Sequence, residues 1–185
     1  NEGIRRAVIA GVTSIEHGTL MDEKSANLMK KHGTAYVPTM TAIKWMAENA
    51  DKPGTTAASI RAEMKDMGER IDQAFALAYK KGVRIVFGSD AGVFPHGMNG
   101  KEFEYMVKAG MPPLAAIQSA TVAAADLLQA GDKLGSLETG KLADIVAVRG
   151  NPLTDISLLQ HIDFVMQDGV IHKQSGNKLC GTIPK

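Results

Sequence analysis

Apolar positions along the chain follow two rhythms, short β-branched runs and stripes at helical spacing. Residues 4–10 carry the helical rhythm, and Gly11 offers a C-cap. Residues 12–17 (Val-Thr-Ser-Ile-Glu-His) form a short β-branched run that predicts a buried strand. Asp22 is placed to N-cap a helix through His32, with Leu28 and Met29 facing inward and Lys30 and Lys31 at the negative end of its dipole. Gly33 stops that helix, and residues 34–38 predict the next strand. A shorter helix is expected around residues 43–49, ended by Lys52-Pro53-Gly54. Ile60, Met64, Met67, Ile71, Ala74 and Ala78 then recur at spacings of four and three, the stripe of an amphipathic helix.

Residues 83–88 (Val-Arg-Ile-Val-Phe-Gly) give the clearest strand signal, with burial expected on both faces as in a parallel sheet. Helices follow at residues 101–109 and, from the Pro112-Pro113 start, through Ile117 to Leu128. Strands alternating with helical connections are the grammar of βα units, which close into a barrel or spread into a doubly wound sheet. Near Gly131 the rhythm changes. Residues 142–148 predict a strand, and Asp168-Gly169 predicts a type I′ hairpin between residues 164–167 and 170–172. These tail strands are too few for a core of their own, so they are expected to complete a sheet whose other strands lie elsewhere.

Composition changes this picture little. Apolar residues make up 44%, charged residues 22%, and the formal net charge is +1. Aromatics at 5%, with no basic stripe interleaving them, argue against nucleic acid as a partner. No apolar run reaches the roughly 18 residues of a membrane span. The single cysteine, Cys180, excludes an internal disulfide or a cysteine-based zinc site and reads as an inert or exposed tail thiol. The compartment stays open between cytoplasmic, periplasmic and secreted.

Two polar residues carry the chemistry. His17 ends one strand, and Asp90 lies just past another in Phe87-Gly-Ser-Asp-Ala-Gly92. In parallel βα architectures, carboxyl strand ends face the ligand crevice. An imidazole nitrogen and a carboxylate oxygen both suit Zn²⁺, and an Asp there can also serve as general base. A histidine after a strand can equally cap a turn, and an aspartate before Ala-Gly can form an Asx-turn or helix cap. Two ligands also fall short of the three that a catalytic zinc normally takes from protein.

A set of motifs goes further. Ser14-Ile-Glu-His-Gly18, Tyr36-Val-Pro-Thr39, Gly88-Ser-Asp-Ala-Gly92, Ala120-Thr-Val-Ala-Ala124 and Gly135-Ser-Leu-Glu-Thr-Gly-Lys-Leu-Ala-Asp-Ile-Val146 occur in that order, followed by Asn151-Pro-Leu-Thr-Asp155 and Val165-Met-Gln-Asp-Gly169. Together they resemble the amidohydrolase superfamily, in the branch of imidazolonepropionase-like and Xaa-Pro dipeptidase-like enzymes that includes ochratoxin-hydrolysing amidases. The resemblance runs to about His172. It implies an α/β fold, with residues 1–130 forming part of a TIM-like (β/α)8 barrel (about strands six to eight). Residues 131–185 would be strands of a small β-sandwich and a tail.

By that resemblance, His17 is the metal ligand after strand six, and Asp90 is both ligand and catalytic base after strand eight. One or two zinc ions, or other divalent metals, are implied. The other family ligands are a His-x-His pair on strand one, a carboxylated lysine on strand four and a histidine on strand five, and none is found here. The chain therefore reads as the C-terminal half of a homo-oligomeric metal-dependent amide hydrolase. Its expected partners are the missing N-terminal barrel half and a small peptide or amide substrate, such as a dipeptide or an N-acyl amino acid. A cyclic amide is the alternative substrate, and a non-catalytic module that only binds its other half is the alternative of another kind.

His96, in the loop after Asp90, is expected either to contact substrate or to make a loop-stabilising hydrogen bond. Tyr36 could present its hydroxyl to a substrate carbonyl or carboxylate, or pack in the core. Trp45 and Met46 either line a pocket wall or pack the extra helix. His32, His161 and His172 are assigned no chemistry.

Overall fold

The computed structural model describes residues 1–52, 58–175 and 177–178; Pro53, Gly54 and Cys180 lie outside them. Seven α-helices and six strands follow one another within those residues.

The first unit runs from helix α1 (Glu2–Ile9) to strand β1 (Ser14–Glu16), then α2 (Glu23–His32) to β2 (Ala35–Val37). Both ends of α2 carry their sequence signals. The Asp22 side chain accepts from the Ser25 amide at 2.8 Å, and Gly33 closes the helix at φ 71°. Asp22 also pairs with Arg5 at 2.9 Å, tying α2 to α1. β1 and β2 are parallel, with Ile15 opposite Tyr36. Helix α3 (Met40–Glu48) leaves β2 directly and packs against the long α4 (Ala58–Lys81). The α4 stripe buries Ile71, Ala74 and Ala78, together with Phe75, whereas Ile60 at its start is 43% exposed. The core they join includes Val8, Met29, Tyr36, Met40 and Met106.

The segment after α4 corrects one expectation. Residues 83–88 run parallel to β2 but pair with it at one register position, Tyr36 with Ile85. The Tyr36 amide donates to the Arg84 carbonyl at 2.8 Å and the Val86 amide to the Tyr36 carbonyl at 2.9 Å. Beyond that the ladder ends, because the Phe87 amide turns to the Ser119 carbonyl at 3.1 Å.

That bond also helps explain a second difference. After α5 (Lys101–Lys108), the helix expected through Leu128 is two helices, α6 (Pro113–Ala120) and α7 (Val122–Leu127), broken at Thr121 (φ −120°, ψ −94°). The carbonyl of Ser119 is taken by Phe87 and that of Ala123 by Arg84 at 2.9 Å, so both serve the third strand segment. Gly135 fits against the break, where a Cβ would lie 3.0 Å from the Thr121 carbonyl oxygen and 2.7 Å from the Ala125 Cβ.

The tail forms a four-stranded antiparallel sheet in the order β3 (Ile145–Ala147), β4 (Phe164–Gln167), β5 (Val170–Gln174), β6 (Asn177–Lys178). Asp168 and Gly169 turn the β4–β5 hairpin with φ of 47° and 77°, as a type I′ turn requires. This sheet pairs within itself rather than only completing another, and it gains β6, which the hydrophobic pattern did not show. Among the described residues after Gly131, Ile156 is the one buried apolar side chain, and Val146 is 62% exposed. No described helix is long and apolar enough to cross a membrane.

Candidate active site

β1, β2 and the third segment lie side by side and parallel, so the residues that follow them share one edge. Three of these residues have left-handed backbone: His17 at φ 62°, Thr39 at 50° and Asp90 at 54°. Positive φ is uncommon outside glycine and an outlier for a β-branched residue such as threonine. Each costs on the order of 1–3 kcal/mol, persists only where its surroundings hold it, and such residues cluster at ligand sites.

The surroundings of His17 are well defined. Its amide donates to the Val37 carbonyl at 3.0 Å, continuing the β1–β2 ladder by one residue. Its ring Nδ1 lies 2.6 Å from the Thr39 hydroxyl oxygen, and that hydroxyl donates to the Pro38 carbonyl at 2.7 Å. With that hydroxyl hydrogen on Pro38, the matching tautomer of His17 carries its proton on Nδ1 and donates it to Thr39. The lone pair is left on Nε2, which has no hydrogen-bond partner among the described residues, and the residue is exposed. A histidine whose second nitrogen donates to a fixed acceptor is the arrangement that orients metal-binding imidazoles.

The structure gives Tyr36 a different partner from the expected substrate group. Its ring is fully buried and its hydroxyl donates to the His17 carbonyl at 2.7 Å. Burial, and then the charge of Glu102, raise its pKa, so the phenol stays a donor. Tyr36 thus touches the backbone of His17 rather than facing open solvent. The ring also sets the close packing at Gly18 (φ 54°), where a Cβ would lie 2.7 Å from Tyr36 Cε2.

Asp90 is exposed, and its carboxylate makes no hydrogen bond or ion pair among the described residues. Its loop is held from behind, where Asn99 Nδ2 donates to the Ser89 hydroxyl at 2.9 Å. His96 lies in the same loop, exposed, and its side chain makes no hydrogen bond among the described residues. Trp45 and Met46 pack rather than line a site: Met46 lies against the core, and Lys52 Nζ sits 5.6 Å from the Trp45 ring centroid.

Sequence reasoning missed Thr39 and Glu102. Glu102, on α5, is fully buried. Its carboxylate accepts from the Met40 amide at 2.8 Å, the Thr41 amide at 2.7 Å and the Thr41 hydroxyl at 2.6 Å. Burial pushes its pKa up to about 7, against the opposing pull of those hydrogen bonds. The available signal was its position one helical turn before the buried Met106, an acidic residue on an apolar stripe.

The Nε2 of His17 and the carboxylate of Asp90 are competent donors for zinc, but no cluster of three or more His, Cys, Asp or Glu is present among the described residues. The donor chemistry fits a metal, and the donor number fits part of a centre. A separate apolar cleft of about 560 Å³ between α6, α7 and β3 is lined by Ile117, Leu128, Leu142 and Val146 and lacks such donors apart from Asp144.

The sequence profile of the Amidohydrolase family matches residues 1–173. The chain belongs to the amidohydrolase family. It is 35% identical over 182 residues to the ochratoxinase of Aspergillus niger, covering 96% of this chain and 35% of that protein. Among solved structures, a Xaa-Pro dipeptidase with methionine bound in its active site superimposes with a TM-score of 0.89 at 50% identity. That match covers 93% of this chain and 42% of the dipeptidase. The A. niger ochratoxinase structure superimposes with a TM-score of 0.78 at 32% identity, covering 94% of this chain and 40% of that one. The amidohydrolase chain described here thus spans less than half the length of these relatives.

Proposed function

We propose that this chain supplies one imidazole and one carboxylate to the zinc centre of a hydrolase that cleaves the amide bond of a dipeptide or N-acyl amino acid. The observation that carries the reading is the shared strand edge, where His17 and Asp90 stand on left-handed backbone with Nε2 and the carboxylate unpartnered. Strands two apart in a sheet are separated by about 10 Å, a span that two converging side chains can bridge through a common ion. The substrate class is supported by the dipeptidase, the more similar of the two structures compared. On this reading β1, β2 and the third segment are strands six to eight of the barrel, and the remaining ligands come from outside the described residues.

When bound, zinc would supply Lewis-acid polarisation of the amide carbonyl and draw the pKa of nearby water toward about 7. With Nδ1 donating to the Thr39 hydroxyl oxygen, His17 presents its Nε2 lone pair to the site. Asp90 accepts a proton from the attacking water and passes it to the leaving nitrogen. His96, on the same loop, contacts the substrate.

A panel of Xaa-Pro and other dipeptides, N-acyl amino acids and cyclic amides, offered to the protein as encoded in full with zinc, tests the reading. Turnover of linear amides is expected. Turnover confined to cyclic amides would contradict the substrate class, and turnover of none would favour the non-catalytic alternative.

A further inference from the structure

We infer that Glu102 is a positioning residue for His17, acting across α3 through Thr39. This rests on the proposed role of His17 as a metal ligand. Thr39 is the N-cap of α3, the position where a threonine oxygen ordinarily accepts from an amide of the first helical turn. Here it makes no such bond. Glu102, from 61 to 62 positions along the chain, accepts from the amides of Met40 and Thr41 instead, and from the Thr41 hydroxyl. The capping duty is thus moved to a buried carboxylate on another helix, and the Thr39 hydroxyl is released to serve His17.

The backbone agrees with this division. An N-cap residue normally has extended dihedrals, whereas Thr39 sits at φ 50° and ψ 42°. That strained conformation is enclosed on both sides: Glu102 grips the two residues after it, and the β1–β2 ladder holds the residues before it. It places the hydroxyl oxygen 2.6 Å from His17 Nδ1, with its hydrogen on Pro38. Loss of the Glu102 grip lets Thr39 relax toward the extended region and take up its own helix cap. The fixed acceptor for Nδ1 then disappears, and His17 is free to carry its proton on either nitrogen.

The test uses the protein as encoded in full, metal-free, with ¹⁵N-labelled imidazoles. Glu102→Gln and the near-isosteric Thr41→Val, which removes one of the three donors to Glu102, are compared with Thr39→Val, Thr39→Ser and the parent. Wild type and Thr39→Ser should show His17 in the Nδ1–H tautomer. Thr39→Val, Glu102→Gln and Thr41→Val should all shift it toward the Nε2–H form. In parallel titrations with Zn²⁺ alone, those three variants should lose about 10–100-fold in affinity, the usual effect of removing an outer partner of a metal-binding histidine. Asp22→Ala, which removes the N-cap of α2 and leaves Thr39 and Glu102 in place, should change neither readout. A wild-type tautomer in folded Glu102→Gln and Thr41→Val would overturn the inference. So would an equal shift in Asp22→Ala. Failure of the parent to bind zinc would count against the proposed function alone, since the tautomer still decides the role of Glu102.

Discussion

The hydroxyl of Tyr36 donates to the backbone carbonyl of His17 at 2.7 Å, so a fully buried phenol fixes the strand end from which the imidazole projects. Tyr36→Phe removes the donor and leaves that carbonyl without its partner, at a cost of about 1–2 kcal/mol. Chemical denaturation of the two proteins measures it. A loss near zero would show that water replaces the phenol at no cost.

Gly18 lies against the same ring. A side chain there meets Tyr36 Cε2 at 2.7 Å while the backbone stays at φ 54°. Overpacking and left-handed strain together should make Gly18→Ala lose about 2–4 kcal/mol. A midpoint shift in the same denaturation series reads it, and a neutral result would mean that the ring has room to move.

Glu102 gives stability a distinctive pH dependence. Its carboxyl is pushed from the ordinary 4.5 up to about 7 in the folded protein, chiefly by burial. The folded state therefore binds the proton more tightly than the unfolded chain, and this group's contribution to stability falls as pH rises from about 4.5 to 7. Denaturation across that range should show a smaller decline in Glu102→Gln than in the parent. Parallel curves would place the carboxyl near its ordinary value.

Asp22 works in the opposite sense. Hydrogen bonds from the Ser25 hydroxyl and amide, and then Arg5, hold its carboxyl at about 2, below the ordinary 3.8. Its contribution is fully present above about pH 3.8 and is lost as pH falls through about 2. Asp22→Ala should cost about 1 kcal/mol at neutral pH as a lost N-cap, and the gap to the parent should close in acid. Thermal melts at pH 7 and pH 2 read both parts.

Local signals in the sequence carried far. Asp22 and Gly33 bound α2 as their chemistry dictates, and Asp168-Gly169 turns its hairpin with both residues at positive φ. His17 follows β1, and Asp90 follows a segment that runs parallel to β2 but pairs with it at one position. What escaped depends on partners distant in sequence. Tyr36 reads first as core and second as a substrate contact until the His17 carbonyl is seen above it. Thr121 looks like a residue inside one helix until the third strand segment claims the carbonyls on either side of it. Glu102 caps a helix that begins 62 residues earlier, a relation that no local spacing encodes.

The most direct measurement of the central claim is amide turnover and zinc content in the protein as encoded in full, compared with Asp90→Asn and His17→Ala. Asp90→Asn should keep its fold and lose at least about 100-fold in kcat, the lower range for removing a general base. His17→Ala should lose both turnover and bound zinc. Asp90→Asn at parental turnover, or His17→Ala with parental zinc content, would contradict the account.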